Sequence, residues 1–151
     1  MTGQALALAM LLGVQTTAEV PILMLPPGEH TWVVRITTTG GVSGRGNGGF
    51  VASSAGEIIC VQDVTCPERL AAAVQRSLSE LVISIPITAV PPQSPFHVTS
   101  CMDCVVTTMT VSRRDGDGER MLRYTWDVST AGSLPEEARR LHAAILALAR
   151  L

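Results

Sequence analysis

Four cysteines are the residues of this sequence whose type and spacing point most directly to chemistry. Cys60 and Cys66 have C-x5-C spacing, and Cys101 and Cys104 have C-x2-C spacing. An even number of cysteines in a small exported chain is typical of disulfides, although sequence does not decide their pairing. We favour a long-range bridge between the two pairs, because the larger loop restrains the unfolded chain more strongly.

Metal binding and redox chemistry are the alternatives for these cysteines. Structural zinc sites usually pair ligands across spacers of two to four residues, which C-x5-C does not match, even with His97 as a further ligand. Reactive thiolates of a "CMDC" motif usually lie at a helix N-terminus, whereas "VVTTMTV" after Cys104 is typical of a strand. We predict structural disulfides and no metal, and both alternatives stay open.

A glycine-rich stretch at residues 44–51, "GRGNGGFV", has the G-x-G-x-x-G-x-V pattern of phosphate-covering loops. The chain contains 11 arginines and no lysine. Kinases and P-loop proteins bind the phosphates of a nucleotide with a lysine. A dinucleotide fold needs a helix directly after the glycines, but "FVASS" indicates a strand. We therefore predict a hairpin loop and no nucleotide.

No catalytic constellation or cofactor site emerges from the other polar residues. His142 lies beside the apolar stripe of a predicted helix, and His30 and His97 fall in polar loops. No G-x-S-x-G nucleophile motif is present. A net charge of −2 gives no reason to expect nucleic acid as a partner. The sequence predicts neither catalytic residues nor a cofactor.

The N-terminus resembles an export signal. An apolar run from Ala5 to Val14 is followed by the small residues Thr16 and Ala18. This run is shorter than the roughly 20 apolar residues that cross a bilayer. We predict a signal peptide over 1–18, a secreted or periplasmic chain that begins near Glu19, and no membrane span in it.

Two strand-strand-helix units position these residues. A linker at 19–30 leads into the first unit, which covers 31–84. A proline-rich connector at 85–100 joins it to the second unit, which covers 101–151.

Trp32, Val34 and Ile36 share one face of the first strand, and residues 48–61 are expected to form its single return strand. In the second unit "DGDG" predicts a tight hairpin turn, after which Leu122, Tyr124, Trp126 and Val128 share a face. The apolar stripe of the second helix consists of Leu134, Ala138, Leu141, Ile145 and Leu148. We predict one α+β domain over 31–151 with ββαββα order, in which a four-stranded antiparallel sheet carries both helices on one face.

Similar residues precede the two predicted helices. The segments 65–68 and 133–136 each have a hydroxyl residue, then proline in the third position and glutamate in the fourth. This arrangement predicts a capping box at each helix N-terminus.

The order of these elements and three short motifs resemble the emfourin family. The motifs are "TGGVSG", beside the family's Ser-Gly-Gly-Phe-x-Gly, the "DG" turn, and "SLPEEARRLHAAI". Emfourins are small bacterial inhibitors of thermolysin-like metalloproteases such as protealysin. The resemblance implies that the chain binds such a protease, or another protein, through the loop after the first strand. The candidate partner-binding residues are Gly40, Gly41, Val42, Ser43, Arg45 and Asn47.

The sequence thus predicts a small exported binding domain that inhibits a protease through its glycine-rich hairpin loop. A disulfide-stabilised envelope or extracellular interaction protein without inhibitory activity is the first alternative. A zinc or redox protein that uses its cysteines is the second.

Overall fold

A computed structural model of the chain describes residues 21–40, 48–61, 65–87, 104–116 and 118–149. These residues form five β-strands and two α-helices, so the α+β class is confirmed. The elements in chain order are β1 (Trp32–Thr39), β2 (Gly48–Ser53), β3 (Ile58–Val61), α1 (Ala72–Ser84), β4 (Val106–Asp115), β5 (Gly118–Trp126), a short 3-10 helix (Ala131–Ser133) and α2 (Glu136–Leu148).

The five strands form one antiparallel sheet in the order β3-β2-β1-β4-β5. The prediction of a four-stranded sheet with ββαββα order is therefore wrong, because the first unit contains three strands. Residues 48–61, which we expected to form a single return strand, reverse direction halfway. Ser53 donates its backbone N–H to the Glu57 carbonyl at 3.0 Å, and Gly56 adopts a φ of 81° that favours glycine.

Contacts from α1 and from the residues just before it hold this unexpected turn in place. Arg69 donates to the carbonyl of Ala55 at 2.9 Å, and the side-chain amide of Gln75 donates to the carbonyl of Ser54. The backbone N–H of Leu70 donates to the carbonyl of Gly56 at 2.9 Å. The turn thus depends on residues that lie more than a dozen positions later in the chain.

The inner face of the sheet forms the main core with both helices. Trp32, Val34 and Ile36 alternate along β1 and are buried, as their spacing predicts. The five apolar positions expected along the second helix are also buried: Leu134, Ala138, Leu141, Ile145 and Leu148. Ile85 and Ile87, at the start of the predicted connector, join this core, and the rest of that connector lies outside the described residues.

The helix starts differ from the predicted capping boxes. Helix α1 begins at Ala72, so residues 65–71 are not helical, and Ala71 makes no side-chain cap. Helix α2 begins at Glu136 after Pro135, and the hydroxyl of Ser133 donates to the Thr130 carbonyl instead of capping the helix. The reason in the second case is the 3-10 turn at 131–133, which uses Ser133 before α2 begins.

The outer face of the sheet is partly covered by the segment that precedes β1. Leu23 and Leu25 pack against Val33 and Val51 in a second, smaller apolar cluster. Neither helix of the described ranges is long and apolar enough to cross a membrane.

Candidate functional site

The glycine-rich stretch connects β1 to β2, which pair directly as antiparallel neighbours. Thr38 is the register partner of Gly48, so β1 and β2 are the two strands of a hairpin. A strand-loop-strand connection of this kind differs from the strand-loop-helix unit that binds dinucleotides. The predicted binding residues Gly41, Val42, Ser43, Arg45 and Asn47 lie outside the described residues.

Gly40 is the one predicted binding residue that the structure describes, and it forms the base of this hairpin. Its φ of 109° is a backbone conformation that side chains with a Cβ atom rarely adopt. A Cβ atom at this position would also overlap with the carbonyl oxygen of Cys104. The close approach of these two residues joins the end of β1 to the segment that leads into β4.

The cysteines lie on both sides of the hairpin base. Cys60 lies on β3, where it is the register partner of Phe50, and β3 borders the β2 side of the hairpin. Cys60 and Cys66 form a disulfide with their Cα atoms 5.9 Å apart. Cys104, on the β1 and β4 side, is also disulfide-bonded. Disulfide-bonded segments therefore flank both strands of the hairpin.

The local Cys60–Cys66 bridge replaces the long-range pairing that we favoured from sequence. After the β2–β3 turn, β3 forms the edge strand of the sheet. The hydrogen bond from the Leu70 N–H to the Gly56 carbonyl places the segment that follows β3 beside that turn. Cys66 is thereby brought within bonding reach of Cys60. Cys101, which was the other candidate half of a long-range bridge, lies outside the described residues.

Metal ligands do not cluster in the described ranges, where no group of three or more His, Cys, Asp or Glu side chains is close enough to hold an ion. Cys60, Cys66 and Cys104 are all disulfide-bonded, and a disulfide sulfur is not the thiolate that zinc requires. The zinc alternative therefore has no thiolate ligand among the described cysteines.

A groove of about 360 Å³ borders the Cys60–Cys66 disulfide. Cys66, Pro67 and Leu70 line one side, before the first turn of α1, and Leu148 of α2 lines the other. Arg69 is the only charged residue among the described residues of its lining, and that side chain already donates to Ala55. The groove therefore offers mainly apolar contacts.

Histidine chemistry is limited by packing. His142 lies edge-on against Trp126, with ring centroids 4.9 Å apart and planes at 83°. Burial lowers the pKa of His142, so its neutral form is favoured. Through this contact His142 forms part of the packing interface between α2 and β5. His30 lies in the turn before β1 with a φ of 56°, and His97 lies outside the described residues.

Asp127 is a buried polar residue that we did not single out from sequence. Its Oδ1 accepts hydrogen bonds from the Ser129 hydroxyl at 2.6 Å and from the backbone N–H groups of Ser129 and Thr130 at 2.8 and 2.9 Å. The Ser129 hydroxyl is the main cause of the lowered pKa of Asp127; Thr130 adds to it and burial opposes it. The spacing Asp-x-Ser-Thr is the sequence signal for such a turn.

The Asp127 turn also ends β5 earlier than expected. We expected Val128 to continue the buried face of Leu122, Tyr124 and Trp126, but it is 85% exposed. The Oδ1 atom is engaged in building the turn that leads to α2, whereas Oδ2 is buried and makes no hydrogen bond within the described part of the chain. We therefore assign Asp127 a structural role.

The described base of the hairpin thus combines Gly40 with disulfide-bonded segments on both sides. The emfourin resemblance rests on the sequence motifs, and it stays a prediction. Comparison of the chain with protein-family models, curated proteins and solved structures gives no match.

Proposed function

We propose that this chain is an exported protein-binding domain whose β1–β2 hairpin loop inhibits a thermolysin-like metalloprotease. The observation that carries the proposal is the support on both sides of the hairpin base. Gly40 contacts the disulfide-bonded Cys104 on one side, and β3 carries the Cys60–Cys66 bridge on the other.

This support bears on the main physical obstacle to binding through a glycine-rich loop. Ordering the backbone costs about 1–2 kcal/mol per residue, which reduces affinity when a loop is ordered only on binding. A braced base limits the number of residues that must be ordered. It also holds the loop at the end of the sheet, where it can enter the cleft of a protease.

Inhibition of a secreted thermolysin-like metalloprotease tests the proposal directly. We expect the wild-type chain to inhibit in a saturable titration. A variant in which Asn-Gly replaces residues 41–46 should fold, because β1, β2 and Gly40 at the hairpin base are all kept, but should not inhibit. Arg45→Ala should weaken inhibition by about fivefold or less, since an exposed charge usually contributes about 1 kcal/mol or less.

The matched control for the shortened loop is Gly116→Asn in the β4–β5 turn at the opposite end of the sheet. Gly116 has a φ of 49° and open space around it, and Asn tolerates that conformation. This variant should inhibit like the wild type. Circular dichroism and thermal unfolding establish that every variant folds. A wild-type chain that leaves the protease fully active at high micromolar concentration rejects the inhibitor and supports the non-inhibitory interaction protein.

The disulfide provides a second test. The double variant Cys60→Ser/Cys66→Ser keeps the sheet pairing of β2 and β3 but loses the brace. If pre-organisation of the hairpin supports binding, inhibition by the folded variant should weaken severalfold. Unchanged inhibition would show that the loop acts without this brace.

Export is a separate part of the proposal and rests on the N-terminal pattern together with the disulfide bonds. The intact mass of protein recovered from the medium or periplasm should correspond to a chain that begins at or near Glu19. Recovery of the full chain from the cytoplasm with Met1 retained would reject this part alone.

A further inference from the structure

The two edge strands of the sheet differ in length and in what lies beside them. Strand β3 has only four residues, and Glu57, just before it, forms an isolated β-bridge with Arg69 of the following segment. Strand β5 has nine residues, and within the described ranges no segment pairs with its second side. The β5 edge is therefore the longer and less covered of the two.

Strand β5 also lacks the features that usually protect a sheet edge. The backbone N–H and C=O groups of an edge strand can pair with another chain, and proline or a β-bulge commonly prevents this. The sequence of β5 contains no proline, and its nine residues pair one to one with β4 without a bulge. This edge is regular enough to accept a further antiparallel strand.

Three exposed side chains follow one another on the outer face of β5, the face opposite the helices. They are Glu119, Met121 and Arg123, and Met121 is 55% exposed. Neither Glu119 nor Arg123 has a hydrogen bond or an ion pair within the described ranges. Arg114 of β4 is the register partner of Glu119, but it donates to the carbonyl of Pro26 at 3.4 Å. Both charged groups of β5 are thus available to a neighbouring strand.

The order acidic, apolar, basic is complementary to itself in an antiparallel arrangement. A two-fold axis through Met121, perpendicular to the sheet, places Glu119 of each copy opposite Arg123 of the other. Directly opposite residues of antiparallel strands have Cβ atoms about 4.5–5.5 Å apart, and opposite charges at this separation are favourable. The exposed Met121 side chains then lie against each other at the axis, and the helices of both copies lie on the same face.

Neighbouring symmetric registers do not give this match. A register centred on Arg120 or on Arg123 places two identical arginines directly opposite each other, which is unfavourable. A register centred on Leu122 leaves both Glu119 and Arg123 opposite uncharged residues. The charges therefore select the register centred on Met121.

We propose that β5 is a dimerisation edge, at which a second copy of this chain adds its own β5 as an antiparallel strand. The two five-stranded sheets become one continuous sheet. Backbone hydrogen bonds supply most of the affinity, and the two Glu119–Arg123 ion pairs fix the register. An interface limited to one pair of strands is small, so the association is reversible. The dimer edge is separate from the β1–β2 hairpin loop and does not depend on protease inhibition.

Sedimentation velocity of the full chain over a range of concentrations tests this edge. We expect the wild type to show a reversible equilibrium of monomer and dimer in the micromolar range. Glu119→Arg places arginines opposite each other, and Arg123→Glu places glutamates opposite each other, so each variant alone should dimerise at least about tenfold more weakly. An equimolar mixture of the two variants restores both opposite-charge pairs. It should form a heterodimer with an affinity within about threefold of the wild-type value.

The matched control is Arg76→Glu, which makes the same charge reversal on the exposed side of α1 and should dimerise like the wild type. Circular dichroism establishes that each variant folds. A wild type that stays monomeric at high micromolar concentration would overturn the proposal. Single variants that dimerise as tightly as the wild type would also overturn it, and so would a mixture of the two folded variants that does not associate, because either result places the contact elsewhere.

Discussion

Arg113 of β4 donates from Nη1 to the carbonyl oxygen of Val82 at 3.0 Å, near the end of α1. The same nitrogen also donates to the carbonyls of Ile83 and Ile85, at 3.0 and 3.2 Å. These carbonyls lie at the end of α1, where Val82 also accepts the backbone N–H of Ile85 at 3.3 Å, and the guanidinium charge is favourable at the negative end of the helix dipole. One side chain of the second unit therefore completes the helix of the first.

Replacing Arg113 should destabilise the fold. Its side chain is 11% exposed and is held by Asp115 as well as by the end of α1. Arg113→Met should lower the free energy of unfolding by about 1.5–3 kcal/mol, since hydrogen bonds from charged groups contribute about that much. Arg113→Lys should lower the free energy of unfolding by a smaller amount. The measurement is urea unfolding, with Arg76→Met on the exposed side of α1 as the control; equal losses in both variants would contradict the capping role.

Gly40→Ala should destabilise the hairpin base. The substitution places a side chain at a φ of 109° and against the carbonyl of Cys104. We expect a loss of about 1–3 kcal/mol in the free energy of unfolding. Gly118→Ala is the control, because Gly118 has open space around it and an ordinary φ. It should change stability by about 0.5 kcal/mol or less.

Ser79→Ala should destabilise the fold, because it removes the hydrogen-bond acceptor of the Trp32 indole. The indole Nε1 donates to the Ser79 hydroxyl at 2.9 Å, and Trp32 is completely buried. Without the hydroxyl, a buried donor loses its partner, at a cost of about 1–3 kcal/mol. Ser77→Ala on the exposed side of the same helix controls for helix propensity. Thermal unfolding should separate the two variants; matching values would show that the indole finds another acceptor.

Stability should depend on pH through Asp127. Because the pKa of Asp127 is lower in the folded chain than in the unfolded chain, the charged carboxylate stabilises the fold above the unfolded pKa. This contribution is lost as pH falls below about 4 and through the folded pKa. The stability difference between wild type and Asp127→Asn should therefore be larger at pH 6 than at pH 2.5. A difference that is constant with pH would contradict this assignment.

The strand periodicity of β1 and the helical periodicity of α2 determined much of this fold locally. Side chains alternate along a strand and recur every three to four residues along a helix, so Trp32, Val34 and Ile36 could be assigned to the core from sequence. The "DGDG" turn was equally local, and Asp115 and Gly118 are indeed register partners. The α+β class followed from these elements.

The β2–β3 turn, by contrast, required the tertiary structure. The alternation of residues 48–61 suits a straight strand as well as a hairpin. The choice depends on the backbone of Gly56 and on contacts from Arg69, just before α1, and from Gln75 of α1. The extra strand followed from those contacts, and so did the pairing of Cys60 with Cys66.

The candidate sites divide in the same way. The glycines of residues 44–51 and the strand pattern that follows them indicated a hairpin, because glycine backbones permit conformations that other residues avoid. The placement of Arg35 and Arg123 on either side of Thr110 could not be foreseen, since the two are far apart in sequence and come near each other only because β4 pairs with both of their strands. Local backbone preference is encoded residue by residue, whereas the neighbours of a side chain across a sheet are decided only when the strands pair.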